Sequence, residues 1–399
     1  MDLSNINGYW FLFGLTLIVV IYLLNEVIRH NRNLKCIPIR VHVNGTRGKS
    51  SVTRLIASGL RAGNIRTCAK TTGTMARYID PDGNEEPVYR FGRTNVIEQV
   101  GIVKKAVDDQ AEALVIECMA LQPLLQSLCE LKLVKSTHGV LCNARPDHLD
   151  VMGPLEEDVA LALAGTMTIK GHYFTAETKH LGTFIYAAKD RKSVLHHVTH
   201  ENITEITDEE MSHFTYAEHK DNVALALAVC EHLGVRRDVA LKGMWSAMPD
   251  PGALTVTPMT YENSEIIFVN GFAANDPFST KQIWDRMRQS YSECDKMVLL
   301  MNCRVDRKDR SQSLAEEALK WERPDEMMAI GTGVDAFCRV VEKSHAFDKT
   351  LTWAENWPVE KILQHLAEDK QARKTLVVGI GNIKGVGFKL IERVFEIHQ

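Results

Sequence analysis

The alternating apolar residues Ile37, Ile39, Val41 and Val43 run straight into Asn44-Gly-Thr-Arg-Gly-Lys-Ser50, and few structures accommodate that succession. A strand must end in a glycine-rich turn that opens a helix. Backbone N–H groups of such a turn and the helix N-terminus carry partial positive charge. Lys49 adds a full charge, and Ser50 supplies a hydroxyl suited to Mg²⁺. Gly45, Thr46, Arg47, Gly48, Lys49, Ser50 and Ser51 are therefore the expected cradle for the phosphates of ATP or a similar nucleotide. The spacing departs from the general eight-residue phosphate loop, because Val43 stands where its first glycine belongs.

With 399 residues, 45% of them apolar and 25% charged, the chain can bury two sizeable cores. Its net charge of −4 gives no electrostatic footprint for nucleic acid. Nine cysteines are scattered without a C-x-x-C pair or zinc spacing, and they read as reduced thiols, mostly in cores, such as Cys118, Cys142 and Cys230.

Tyr9 to Leu24 is free of charge and of strong breakers; extended back to Ile6 it holds 19 residues. As a helix it reaches about 28 Å, close to the hydrocarbon thickness of a bilayer. Tyr9, Trp10 and Tyr22 lie near its ends, and Arg29, His30, Arg32 and Lys35 follow it. The expectation is a single transmembrane helix at about 6–24 within an anchor segment 1–35, with the body in the cytoplasm by the positive-inside rule. No basic region precedes the apolar stretch, and no small-residue cleavage site follows it, which argues against a cleaved signal.

Beyond the anchor, strand and helix patterns alternate, so the expected class is α/β with doubly wound, mostly parallel sheets. Strands are expected at 37–44, 66–70, 113–119, 137–143 and 172–176, with helices near 51–62, 155–164 and 222–233. Met-Pro-Asp-Pro-Gly-Ala, 248–253, breaks the pattern as a linker. A second set has strands at 265–269, 297–302, 327–331 and 375–379. The expected domains are a phosphate-loop domain at 36–250 and a smaller, Rossmann-like α/β domain at 251–399.

Candidate chemistry in the first domain lies where strands end. Thr72 belongs to a hydroxyl-rich run, Lys70-Thr-Thr-Gly-Thr74. Glu117 ends an apolar strand, where a buried carboxylate needs Mg²⁺ or a lysine as partner. Asn143 to Asp150 gathers an amide, carboxylates and an imidazole; Asp147 and His148 are its expected catalytic pair, with helix capping the plainer role for Asp147. In the second domain Arg304, Arg307 and Arg310, if on a loop, would form a cationic rim for carboxylates or triphosphate. Gly379 to Gly385 ends a strand, matches G-x-G-x-x-x-G, and is not read as an NAD site.

The ordered set G-T-R-G-K-S, T-T-G-T, a strand-terminal Glu and N-x-x-x-D-H-L-D resembles the Mur ligase family of ATP-dependent amide ligases, which includes folylpolyglutamate synthase. Longer stretches, among them T-T-G-T-M-A-R, D-H-L-D-V-M-G-P, V-N-G-F-A-A-N-D, M-N-C-R-V-D-R-K-D-R and G-I-G-N-I-K-G, are similar to the ligase subunits of bacterial poly-γ-glutamate synthases. That resemblance implies ATP and one or two Mg²⁺ ions, with Ser50, Thr72 and Glu117 around one metal and His148 on a second. It places Asn222 near the adenine and Asn270 and Asn275 towards the ribose. It implies a γ-carboxylate activated as an acyl phosphate and then attacked by the amine of glutamate, extending a poly-γ-glutamate chain. Arg77, Arg93 and the three second-domain arginines are the candidates for holding substrate carboxylates. A multi-span membrane partner of the PgsC/CapC type, a PgsA/CapA-type subunit and an oligomeric assembly are further expectations.

Two departures bear on the transfer. Leucine stands near the place of the carbamoylated lysine of many Mur-type ligases, with Lys170 the nearest lysine, and the uridine-nucleotide domain that opens true Mur ligases is replaced by the anchor. The alternative reading is a membrane-tethered phosphate-loop ATPase or kinase, or a nucleotide-binding scaffold, of a capsule export machine.

Overall fold

The computed structural model describes residues 3–72, 76–90, 95–214, 216, 218–249, 254–274, 277–345, 350–368 and 372–398. The chain divides into two compact units, Met1–Phe214 with Glu218–Met248, and Thr215–Ala217 with Pro249–Gln399.

The first unit opens with α1 (Leu3–Cys36), a single helix that runs twelve residues past the expected apolar end. Its Tyr9–Cys36 part has a mean hydropathy of 2.3 in its most apolar window and buries none of it. The last turns behave differently. Leu34 is buried, the His30 ring nitrogen meets the Leu133 carbonyl at 2.9 Å, and Lys135 donates to Asn31. Arg40 donates to the carbonyls of Leu34 and Ile37, pinning the junction between α1 and the first strand.

That strand, β1 (Ile39–Asn44), lies inside an eight-stranded sheet with β2 (Thr67–Lys70), β3 (Arg77–Ile79), β4 (Glu85–Pro87), β5 (Ala113–Glu117), β6 (His138–Leu141), β7 (His172–Thr175) and β8 (Val194–His197). The order is β4-β3-β2-β5-β1-β6-β7-β8, parallel except that β3 runs antiparallel to both β2 and β4. Val41, Val43, Val115 and Ile116 are fully buried, as expected for strands covered on both faces. The register pairs Val43 with Glu117 and Asn44 with Leu141, so the ends of β1, β5 and β6 arrive together.

Gly48, at φ 84°, turns the chain into α2 (Lys49–Ala62), whose Val52, Leu55, Ile56 and Leu60 are buried. Each such side chain contributes roughly 1.5–3 kcal/mol of burial. Behind α2 pack α3 (Lys220–His232) and the helix Arg237–Trp245. The approach is close: a Cβ on Gly59 would lie 2.8 Å from the Cys230 sulfur.

The second unit is a six-stranded sheet of β9 (Thr255–Tyr261), β10 (Ser264–Asn270), β11 (Lys296–Cys303), β12 (Glu326–Gly331), β13 (Leu351–Glu355) and β14 (Lys374–Gly381), in the order β13-β12-β11-β14-β10-β9. Only β9 is antiparallel. Leu376, Val378 and Ile380 join a core with Trp284, Leu314 and Phe337, while Val377 faces one with Ile362, Leu390 and Val394. Helices therefore cover both faces, the expected doubly wound arrangement.

Candidate functional site

The phosphate turn is assembled from three strand ends. A Cβ on Gly45, at φ 140°, would lie 3.0 Å from the Cys142 Cβ and 3.2 Å from the Asn143 nitrogen, so only glycine lets the turn lie against the end of β6. Asn143 then holds the turn. Its Oδ1 accepts from the Thr46 hydroxyl at 2.7 Å and the Arg47 N–H at 3.1 Å, and its Nδ2 donates to the Arg47 carbonyl. The Thr46 hydroxyl accepts from the Arg145 N–H. Below the turn, buried Asn44 donates to Gln126 and Thr166 and accepts from the Gly45 N–H.

Lys49 curls over this loop, its Nζ 2.6 Å from the Gly45 carbonyl oxygen. The next residue reaches β5: the Ser50 hydroxyl donates to Glu117 Oε2 at 2.8 Å, and the Thr72 N–H donates to the same oxygen at 2.7 Å. Glu117 is 2% exposed, and among the described residues its second oxygen takes no hydrogen bond. Ser50, Thr72 and Glu117 are thus joined, Ser50 through its hydroxyl and Thr72 through its backbone N–H, although they come from α2, the end of β2 and the end of β5. The Ser50 hydroxyl and the Glu117 carboxylate are hard oxygen donors, which suit Mg²⁺.

Buried Lys70 lies beside this carboxylate and pairs with Glu98 at 2.6 Å, while Arg90 forks onto Glu98. Burial pushes the Lys70 ammonium down, against the pull of Glu98 and then of Glu117. Burial alone would push Glu98 up; Arg90 and Lys70 outweigh it and hold the carboxyl below its ordinary range.

Asp147 and His148 sit at the rim. Asp147 is 3.8 Å from Arg47 and 3.9 Å from the His148 ring, which is about half exposed. His148, at φ 45°, starts the short helix Leu149–Met152, so the helix-start position falls to it and not to Asp147. No hydrogen bond or ion pair joins His148 to Glu117 among the described residues. Asn222, in the first turn of α3, lies against the phosphate turn: its Oδ1 would be 2.8 Å from a Cβ on Gly48, and its Nδ2 donates to Glu218.

A glycine turn, a folded-over lysine and a buried carboxylate make a site for nucleotide phosphates, and comparison with known proteins says which kind. Residues 43–228 match the Mur ligase middle domain, and residues 256–396 match the poly-gamma-glutamate synthase CapB C-terminal domain. The capsule biosynthesis protein CapB of Bacillus anthracis is 38% identical over 97% of this chain and 83% of its own length. The PGA synthase CapB of Bacillus subtilis is 35% identical over 97% of this chain and 98% of its own. The chain belongs to the CapB poly-γ-glutamate synthase family.

Solved structures resemble it in fold. Escherichia coli FolC in complex with ADP superposes with a TM-score of 0.64 at 16% identity, over 93% of this chain and 92% of that one. Mycobacterium tuberculosis folylpolyglutamate synthase, complexed with ADP and AMPPCP, gives 0.60 at 13% identity, over 94% and 97%.

In this CapB-family chain the second unit corrects one expectation. Arg307 and Arg310 are not on a loop: Arg304 precedes a short 3-10 turn, Val305–Arg307, which Arg307 ends, and Arg310 lies in the first turn of the helix Lys308–Ala318. Arg304 pairs with Asp306. Arg310 donates to Asn382, which itself donates to the Asn302 carbonyl. Burial, then the nearby Arg307 and Arg304, push the Arg310 guanidinium down, so the three cationic groups stay within electrostatic reach of one another at this helix start. Asn270 ends β10 and is 2% exposed. Arg77 lies on β3, and its carbonyl accepts from the Thr71 N–H. Asn275 and Arg93 lie outside the described residues, as do Gly73 and Thr74. Leu163, in the stretch where a carbamoylated lysine would sit, is buried among apolar residues, and Lys170 ends outside that core.

The roles of Asn44, Gln126 and Asn143 as struts of the phosphate turn are not visible in the sequence, nor is that of Glu177, whose carboxylate accepts from the Ala144 and His180 N–H groups. The one available signal is a run of buried amides and acids at strand ends.

Proposed function

We propose that this chain is an ATP-dependent acid–amino-acid ligase that activates a γ-carboxylate as an acyl phosphate and joins it to the amine of glutamate, building poly-γ-glutamate. The observation that carries the reading is the convergence of Ser50 and Thr72 on Glu117, beside a phosphate turn whose lysine is already folded over it.

In this reading Gly45, Thr46, Arg47, Gly48, Lys49, Ser50 and Ser51 bind the nucleotide phosphates, with Lys49 leaving the Gly45 carbonyl for the phosphate oxygens. Ser50, Thr72 and Glu117 would hold Mg²⁺, which supplies charge neutralisation for the transferring phosphoryl. Asn143 keeps the turn rigid before substrate arrives, so little reorganisation is needed. His148 and Asp147, at the rim, serve the acyl-phosphate side of the site, and Asn222 fixes the Gly48 corner. Arg77, Arg93, Arg304, Arg307 and Arg310 remain candidates for substrate carboxylates, and Asn270 and Asn275 for the nucleotide.

The exposed apolar length of α1 supports a single-pass location in the inner membrane, with the ligase body in the cytoplasm. A polymer made beside the membrane suits hand-over to a multi-span partner of the PgsC/CapC type, with a PgsA/CapA-type subunit alongside.

The test is a heavy-oxygen label in the γ-carboxylate of the primer. Acyl-phosphate chemistry moves that oxygen into inorganic phosphate, and Lys49→Ala membranes should form neither labelled phosphate nor polymer. Polymer synthesis without label in the phosphate would overturn the reading.

A further inference from the structure

Four histidines gather at the opposite end of the first sheet from the phosphate turn. His138 and His172 are the first residues of β6 and β7 and face each other in register. His196 pairs in register with Phe174, two residues beyond His172. Alternation puts His138, His172, Phe174 and His196 on one face of the sheet. The last residue of α3, His232, comes down onto that face: its ring centroid is 4.2 Å from that of His172 and 5.0 Å from that of His196.

The ligand nitrogens of His172, His196 and His232 all lie within 4.8 Å of one another, and His172 Nδ1 is 3.0 Å from His196 Nε2. Tetrahedral coordination with metal–nitrogen bonds of about 2.0–2.1 Å separates ligand nitrogens by roughly 3.3 Å. The observed spacing therefore needs only small ring adjustments. Phe174 stacks on His196 at 4.5 Å with a 10° interplanar angle, which fixes the ring's plane. His138 stands just outside, with Nδ1 on the Thr137 hydroxyl at 2.8 Å. Among the described residues no carboxylate bonds to the three rings, so the donor set is all imidazole. Such donors favour Zn²⁺, Co²⁺ or Ni²⁺ over Mg²⁺. His232 also ends a helix, where the dipole favours a cation.

We propose that His172, His196 and His232 form a binding site for a Zn²⁺-type transition-metal ion, separate from the phosphate site, with its fourth position open to water. The ion ties the end of α3 to the edge strand β8 and its neighbour β7. Since α3 carries Asn222 in its first turn, the metal fixes the far end of the helix that abuts Gly48.

The experiment uses the untagged full chain in detergent, with Mg²⁺ and ADP in excess, and Zn²⁺ as the probe against a chromogenic chelator. One Zn²⁺ per chain is expected. His172→Ala and His232→Gln should each weaken binding at least tenfold, and Lys49→Ala should bind Zn²⁺ as the wild type does. His232 is exposed at a helix end, so His232→Gln keeps the fold and alone decides the matter; Zn²⁺ should raise the melting temperature of the wild type and leave that of His232→Gln unchanged. A wild type that fails to compete with the chelator, or a His232→Gln variant with wild-type affinity, overturns the site.

Discussion

The side-chain oxygen of Asn222 occupies the space beside the Cα of Gly48, 2.8 Å from where any Cβ would stand. A residue of the α3 helix thus closes one wall of the phosphate turn, although 174 positions separate the two in sequence. Gly48 also sits at φ 84°, where an L side chain costs about 1–2 kcal/mol.

Gly48→Ala is therefore expected to weaken binding of a non-hydrolysable ATP analogue at least tenfold, measured by calorimetry. Adding Asn222→Ala should restore part of that loss, because it removes the steric contact and leaves the backbone strain. No recovery in the double variant would show that the contact is energetically silent.

Glu117→Gln keeps the shape that receives Ser50 and Thr72 and removes the charge. Mg²⁺-dependent ATP turnover should fall on the order of 100-fold, by analogy with the loss of a single electrostatic group at other transition states. Thermal stability should stay equal or rise, since a buried carboxylate is neutralised. A large drop in melting temperature would assign Glu117 to the fold and not to the site.

The Lys70 pair is asymmetric. Lys70 has no exposed side-chain surface, and Glu98 is its ion-pair partner among the described residues, whereas Glu98 also holds Arg90. Glu98→Gln leaves a buried ammonium unpaired and should cost about 3 kcal/mol of stability; Lys70→Met leaves Glu98 paired with Arg90 and should cost markedly less. Urea unfolding of the two variants gives the comparison.

In the second unit Glu326 accepts from Thr352 and His365 and pairs with Lys296 at 2.9 Å. Burial pushes its carboxyl up, but the hydrogen bonds from His365, Thr352 and Lys296 win and hold it at about 2. The hydrogen bond to Glu326 raises His365, against the opposing effect of burial. The depressed carboxyl contributes stability above the unfolded value near about 4.3 and loses it as the pH falls towards 2, an effect on the order of 2–3 kcal/mol. The raised imidazole contributes fully below about 6.5 and loses its share as the pH climbs through its folded value. Melting curves should accordingly decline on both sides, and His365→Gln should flatten the alkaline limb and, by removing the first of the hydrogen bonds that hold Glu326 down, also shrink the acid limb.

What could be read from the sequence was local. A strand, a glycine turn and a helix announce themselves within a few residues, so the phosphate turn and the carboxylate at the end of β5 were legible, as was the α/β alternation. The contacts of Asn143 and Asn222 were not, because they depend on strand register and helix crossing between distant segments. Short or edge strands escaped for a related reason: β3, β4 and β8 have three or four residues each, and β9 carries Pro258, which its edge position tolerates. The run around Arg304 to Arg310 looked loop-like through its charge, yet it forms a 3-10 turn and a helix start, with Arg304 paired to Asp306. His172, His196 and His232 are spaced 24 and 36 residues apart, with no ligand motif to connect them.

Only Ile37 and Pro38 separate the apolar helix from the strand that carries the phosphate turn, and Arg40 clamps both sides of that joint. The connection works as a shaft and not as a leash. Any displacement of α1 is handed directly to β1, the strand that ends in the glycine turn, because the two-residue joint leaves no spare chain between them.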